Sequence, residues 1–209
     1  MTSSMYEYEN KLIQIGKTHI CGVDEAGRGP LAGPVVAAAV ILKPGVILNH
    51  VNDSKQLSEK QLMKALEQVK EHALAIKVVF GSVEDIDRIN IYRATKEAMV
   101  AAIEGLDIQP DFILTDAMPI AEYKNLESII KGDQKSISIA AASIVAKTTR
   151  DAYMKNMHTL FPNYGFDQHK GYPTKKHVEA LMTFGPTPIH RKSFKPVKDA
   201  ILKFKKQNI

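Results

Sequence analysis

The stretch His19-Ile20-Cys21-Gly22-Val23-Asp24-Glu25-Ala26-Gly27-Arg28-Gly29-Pro30-Leu31-Ala32-Gly33-Pro34-Val35-Val36-Ala37-Ala38-Ala39-Val40-Ile41-Leu42 reads as strand, turn, strand. His19 to Asp24 is an apolar run closed by an acid. Val35 to Leu42 is continuously β-branched or small, as a strand covered on both faces requires. Gly27, Gly29, Pro30, Gly33 and Pro34 make a turn-rich connection of about hairpin-loop size between them. Outward from this pair, Leu74 to Phe80 reads as a further strand, with shorter candidates at Phe112 to Thr115 and Ser128 to Lys131. Ser58 to Lys70 is a predicted helix: Ser58 and Gln61 have capping-box spacing, and Leu62, Leu66, Val69 and Ala73 share one face. Ile91 to Leu106 repeats the pattern. Ser138 to Met157 is a long helix whose first half is small or apolar, which predicts burial against the sheet. Shorter helices, Thr174 to Phe184 and Phe194 to Lys205, follow. This order predicts a mixed α/β core with a C-terminal helical extension.

The 209 residues correspond to one large domain, or a domain plus a modest appendage. A content of 44% hydrophobic and 24% charged residues excludes disorder, and no repeat points to a solenoid. The longest unbroken apolar run has 8 residues, against about 20 needed to cross a bilayer, so no membrane span is expected. Glu7 and Glu9, with no apolar stretch beside them, argue against a secretory signal. The one cysteine, Cys21, leaves no internal disulfide or paired zinc ligands and predicts a reducing, cytoplasmic setting. Charge is uneven. From Lys170 onward 10 Lys and Arg oppose 2 acids, a net +8, while the first 169 residues carry 18 basic and 21 acidic residues, a net −3. A basic tail region on a slightly acidic body suits nucleic acid, although a solvated Lys-rich surface fits the same count.

The chemistry should lie where acids end apolar strands. Asp24 and Glu25 close the first; neighbours on a strand point to opposite faces, so one of the pair must be buried and needs a partner. Asp116 follows Phe112-Ile113-Leu114-Thr115, and Asp133 follows Ile129-Ile130-Lys131-Gly132. Strand ends of an open α/β sheet gather at one rim, where such acids can converge. An oxygen-rich site without Cys or His suits Mg²⁺ or Mn²⁺, and two such ions about 4 Å apart promote phosphodiester hydrolysis. Ordinary turn capping by Asp is the competing account of each residue. Gly27-x-Gly29-x-x-Ala32 superficially matches a dinucleotide fingerprint, but Pro30, Gly33 and Pro34 replace the required helix. What remains is a tight loop that a ligand can approach closely, with Arg28 placed to hold a phosphate.

Val23-Asp24-Glu25-Ala26-Gly27-Arg28-Gly29-Pro30-Leu31-Ala32-Gly33-Pro34 closely resembles the signature of ribonuclease HII, the bacterial type 2 ribonuclease H. Asp53-Ser54-Lys55, Asn90-Ile91-Tyr92-Arg93, Lys131-Gly132-Asp133, Ala141-Ala142-Ser143-Ile144-Val145-Ala146-Lys147, Gln168-His169-Lys170-Gly171-Tyr172-Pro173 and His190-Arg191-Lys192-Ser193-Phe194 extend the resemblance over nearly all of the chain after about residue 18. It implies an RNase H-like fold: a central mixed sheet flanked by helices, with the C-terminal extension beginning near residue 165, and residues 1–17 left without a role. The implied catalytic and metal-binding acids are Asp24, Glu25, Asp116 and Asp133, with Mn²⁺ or Mg²⁺ as cofactor. Gly27, Arg28, Gly29 and Tyr172 are implied to sense a ribonucleotide 2′-hydroxyl, and Lys55 to touch the substrate. The implied reaction is hydrolysis of the RNA strand of RNA/DNA hybrids and nicking 5′ of single ribonucleotides in duplex DNA.

The basic residues Lys170, Lys175, Lys176, Arg191 and Lys192 are expected to grip phosphates, and Lys147 reads equally as a phosphate contact or a solvated lysine. His169 and His190 lack metal-site spacing and read as nucleic-acid contacts or plain surface. Two rival classes differ in kind. A non-catalytic hybrid-binding protein would need no strand-end acids, and a metal-dependent phosphotransferase should carry a nucleotide cradle, which is absent. A monomer is expected, since no surplus apolar stripe is evident.

Overall fold

A computed structural model of the chain describes residues 4–49, 51 and 57–207. In chain order the elements are α1 (Glu7–Gln14), β1 (Ile20–Ala26), β2 (Val35–Leu42), α2 (Glu59–His72), β3 (Ala73–Gly81), α3 (Val83–Ile89) and α4 (Ile91–Glu104). They continue as β4 (Phe112–Asp116), β5 (Leu126–Ile129), α5 (Ile137–Leu160), α6 (Phe166–His169), α7 (Lys175–Phe184) and α8 (Lys195–Gln207), with short 3₁₀ turns at residues 4–6, 132–134 and 162–164. The five strands form one sheet in the order β3-β2-β1-β4-β5. β1 pairs antiparallel with β2, and β2 with β3, while β1 with β4 and β4 with β5 run parallel, so the sheet is mixed as expected.

Helices cover both faces. On one face α2 and α5 pack on Ala38, Val40 and Leu42 through Leu62, Leu66, Val69, Ala141 and Ile144. On the other, α4 places Met99, Ala102 and Ile103 against Cys21, Val23, Ala39 and Ile41. All eight residues of β2 are buried, as its unbroken small and β-branched composition requires; each large aliphatic side chain withdrawn from water contributes about 1.5–3 kcal/mol. Gly22 lets the central helix reach the sheet. A Cβ at that position would lie 2.0 Å from the Ser138 carbonyl carbon, so only a hydrogen fits between β1 and α5.

The helix α1, within the N-terminal segment whose role the sequence left open, also belongs to the packed structure. Its Leu12 joins Ile20, Leu114, Ile129 and Ile139. Its Glu9 is buried, and one carboxylate oxygen accepts from Ser136 Oγ at 2.5 Å and Ser138 N at 3.0 Å, capping α5. The C-terminal helices are tied to the glycine loop: Leu31 packs with Leu181, Val197 and Ala200, and Ala32 makes a β-bridge to His190.

Candidate active site

The parallel register of β1 and β4 pairs Val23 with Thr115, so the next residues along each strand, Asp24 and Asp116, leave the sheet side by side at one rim. Asp24 lies on the α5 face and Glu25 on the α4 face. Because the strand ends there, both still line one open cleft with Asp116, Gly27, Arg28, Gly29, Ser143, Lys147, Arg150, Asp151 and Tyr172. Opposite faces therefore do not separate the two acids at a rim. Asp24 is buried at 4% exposure; its Oδ1 accepts from the Glu25 N–H at 2.7 Å. Burial, then the charges of Glu25 and Asp116, push the Asp24 carboxyl well above the usual carboxylate range, against a lowering hydrogen bond from Ser143. Burial also raises Glu25, opposed by Arg28, whose Nη1 lies 3.3 Å from Glu25 Oε1. Glu25 Oε2 is buried without a hydrogen-bond partner among the described residues. Asp116 Oδ1 accepts from the Gly132 N–H at 2.8 Å.

Asp133 does not end a strand and does not line this cleft. The chain leaves β5 at Ile129, turns through Lys131 in a left-handed conformation (φ 57°), and carries Asp133 in a buried 3₁₀ turn directly behind the Gly132–Asp116 contact. Lys55, with the rest of the Asp53-Ser54-Lys55 motif, falls outside the described residues. Among the described residues no three His, Cys, Asp or Glu side chains close a metal cage by themselves. The site nevertheless fits a hard divalent cation: Mg²⁺ is commonly held by one or two carboxylates plus substrate phosphate oxygens, and a crowded pair of carboxylates with one orphaned oxygen calls for a positive charge.

Tyr172 faces this site from the opposite wall. It is 47% exposed on a loop, and a Cβ on Gly29 would meet its ring at 3.5 Å, so the aromatic face covers the glycine loop and is not buried in a core. A chain of three hydrogen bonds sets its backbone. The Thr187 N–H donates to His190 Nδ1 at 2.9 Å, which leaves the His190 proton on Nε2. That proton is donated to His177 Nε2 at 3.1 Å, and His177 Nδ1–H in turn donates to the Tyr172 carbonyl at 2.9 Å. His169 stacks on His177 with ring centroids 4.5 Å apart. Burial holds His177 down at about 4 and His190 at about 3, and lowers His169.

Two sequence expectations change here. His190 is neither surface nor a nucleic-acid contact; it is wholly buried in this relay. Arg191 is equally buried and grips no phosphate: its guanidinium donates to the carbonyls of Gly33, Arg28 and Gly27. Lys175, Lys176 and Lys192 do stay exposed. Lys147 lines the cleft in an ion pair with Asp151 at 3.1 Å. Ser143, Arg150 and Asp151 were not singled out from the sequence, although with Lys147 they form a polar stripe at i, i+4, i+7 and i+8 along α5.

Comparison with known proteins shows the family and the fold. The family model of ribonuclease HII matches residues 21–197. The ribonuclease HII of Bacillus mycoides (strain KBAB4) is 51% identical over 199 residues, covering 95% of this chain and 77% of the relative. That of Bacillus thuringiensis (strain Al Hakam) is 52% identical over the same shares. The crystal structure of ribonuclease H2 from Pyrococcus horikoshii OT3 superposes with a TM-score of 0.77 at 26% identity, over 90% of this chain and 99% of that one. The chain belongs to the ribonuclease HII family, and its activity is that of a ribonuclease H, an endonuclease acting on RNA paired with DNA.

Proposed function

We propose that this chain also nicks duplex DNA on the 5′ side of a single embedded ribonucleotide, leaving 3′-hydroxyl and 5′-phosphate ends, and so serves ribonucleotide removal in replication and repair. The observation that carries this reading is the crowding of Asp24, Glu25 and Asp116 at one rim, facing Arg28, Gly29 and Tyr172 across a single cleft. The 2′-hydroxyl alone separates RNA from DNA at one nucleotide, so groups that sense it must lie within reach of the hydrolytic centre. Here they share its walls.

Asp24, Glu25 and Asp116 would hold Mg²⁺ or Mn²⁺; the resemblance adds Asp133 as a fourth ligand, and although it is off the cleft surface, its turn adjoins Asp116 through the Gly132 N–H. Bound there, one or two ions would supply a nucleophile from water at neutral pH and stabilise the leaving oxygen. Ser143 and the Glu25 N–H orient Asp24; the Gly132 N–H orients Asp116. Arg28 spans Glu25 and the open cleft, where its guanidinium can meet a phosphate. The Tyr172 ring provides a stacking face for a sugar or base. Lys55 is assigned a substrate contact by resemblance. No described helix is long and apolar enough to cross a membrane, and we read the protein as a cytoplasmic monomer.

The test is a DNA duplex carrying one ribonucleotide, incubated with Mg²⁺ or Mn²⁺ and again with chelator. A nick 5′ of the ribonucleotide that needs the metal is the expected result. Cleavage confined to long hybrids would remove the single-ribonucleotide role, and metal-independent cleavage would remove the cofactor assignment.

A further inference from the structure

Arg150 and Arg191 are the two largest fully buried side chains of the described protein, and among the described residues neither is paired with a carboxylate. Arg150 Nε and Nη2 donate to the carbonyls of Pro34 and Ala32, each at 3.0 Å, and Nη1 donates to that of Lys170 at 3.0 Å. Arg191 donates to Gly33 at 2.9 Å, Arg28 at 2.9 Å and Gly27 at 2.5 Å. Two buried cations side by side, Arg191 in the interior and Arg150 at the base of the cleft wall, are costly unless something requires them. Burial and the neighbouring Arg150 push Arg191 down to about 9, still protonated at neutral pH.

Five of the six carbonyls belong to the loop between β1 and β2. With Gly27 and Arg28 oxygens turned inward onto Arg191, the trans peptide geometry turns the N–H groups of Arg28 and Gly29 the opposite way. No main-chain carbonyl among the described residues accepts from those two N–H groups. Gly27 must be glycine for this arrangement: its φ is 98°, and a Cβ would strike Arg150 Nε at 2.1 Å. The sixth carbonyl, Lys170, precedes Gly171-Tyr172, so one guanidinium ties the glycine loop to the tyrosine loop across the cleft.

We infer that Arg150 and Arg191 are positioning residues of the ribonuclease reaction, which aim the loop's N–H groups into the cleft and fix their distance from Tyr172 without bonding the nucleic acid themselves. This rests on the reading of that loop and Tyr172 as the ribose sensor. The multi-point fork of a guanidinium is what the role demands, so lysine, which keeps the charge but not the fork, should not replace it.

The test compares wild type with Arg191→Lys and Arg150→Lys at a temperature where circular dichroism shows each folded. Affinity for an RNA/DNA hybrid and for all-DNA duplex of the same sequence is measured with chelator present, across a salt series. The expected result is a fall of at least about fivefold in hybrid preference, with all-DNA affinity and salt slope unchanged. A preference equal to wild type in both variants would reduce the arginines to core props. A salt slope lowered by about 0.9 in the charge-removing variant Arg191→Gln or Arg150→Gln, measured alongside, would make that arginine a direct phosphate contact; both outcomes overturn the inference, as would failure of both lysine variants to fold. If wild type itself shows no hybrid preference, the ribose-sensor reading fails instead.

Discussion

The histidine relay beneath Tyr172 makes a quantitative prediction about acid. His177 and His190 are held at about 4 and about 3, whereas an unfolded chain returns them to about 6.5. Their folded values are lowered, so the folded state binds fewer protons below pH 6.5, and the stability they leave intact above that pH is lost as pH falls toward the folded values. At pH 5 both stay neutral in the fold and are protonated when it opens, which costs about 2 kcal/mol each, or about 4 kcal/mol together. For a chain of this size that corresponds to a fall in Tm of about 8–16 °C. His169, also lowered, acts in the same direction. Asp24 and Glu25, raised in the metal-free protein, act in the opposite one and offset part of the loss. The clean assay is therefore a difference: urea unfolding of the metal-free wild type and of His190→Gln at pH 7.5 and 5.0. The carboxylate contribution is common to both proteins and cancels, so the wild type should lose about 2 kcal/mol more than the variant between the two pH values. Equal losses would show that His190 is not held neutral, and the tautomer chain ending on the Tyr172 carbonyl would be wrong.

Tyr172→Ala should cut cleavage at a single ribonucleotide at least about tenfold, equivalent to 1.4 kcal/mol, while Tyr172→Phe keeps more activity; a half-exposed ring predicts little stability change, checked by urea unfolding. Asp24→Asn should abolish cleavage yet hold or raise the Tm of the metal-free protein at pH 7, because the ionised carboxyl is opposed by burial and two like charges. The raised value means that this penalty grows as pH climbs above the ordinary carboxylate range, so any gain should vanish near pH 4. Gly22→Ala should lower stability by about 3 kcal/mol or more, at the upper end of overpacking costs, because its Cβ would overlap the Ser138 backbone; a soluble, fully active variant with unchanged Tm would contradict the β1–α5 contact.

Features with a local cause were legible in the sequence. Ser58 does cap α2 with Gln61 in a reciprocal capping box, and Thr174 caps α7. Val35–Leu42 is a strand over the residues its composition indicated. α1 leaves no clear apolar period in the sequence, because Glu9, a buried acid on a core-facing position, caps another helix 127 residues away. α3 has only seven residues, too few to show a period. The apolar run before Asp133 predicts a strand end there, but left-handed Lys131 turns the chain first.

The C-terminal charges illustrate the deeper limit. Lysines and arginines count alike in a net charge of +8, yet Lys175 and Lys176 stay in water while Arg191 lies in the interior. A buried lysine or arginine usually betrays itself by an acidic partner. Arg150 and Arg191 have none among the described residues, because their acceptors are peptide carbonyls, and every residue supplies one of those whatever its side chain. The active-site acids differ in the same way. Each strand-end carboxylate was visible by itself, but the pairing of β1 with β4 joins residues 92 positions apart, and that register alone decides that Asp24 meets Asp116. Local sequence thus marks the reactive groups, whereas the elements that aim them, a carbonyl-bound guanidinium pair and a parallel register, are properties of the folded backbone.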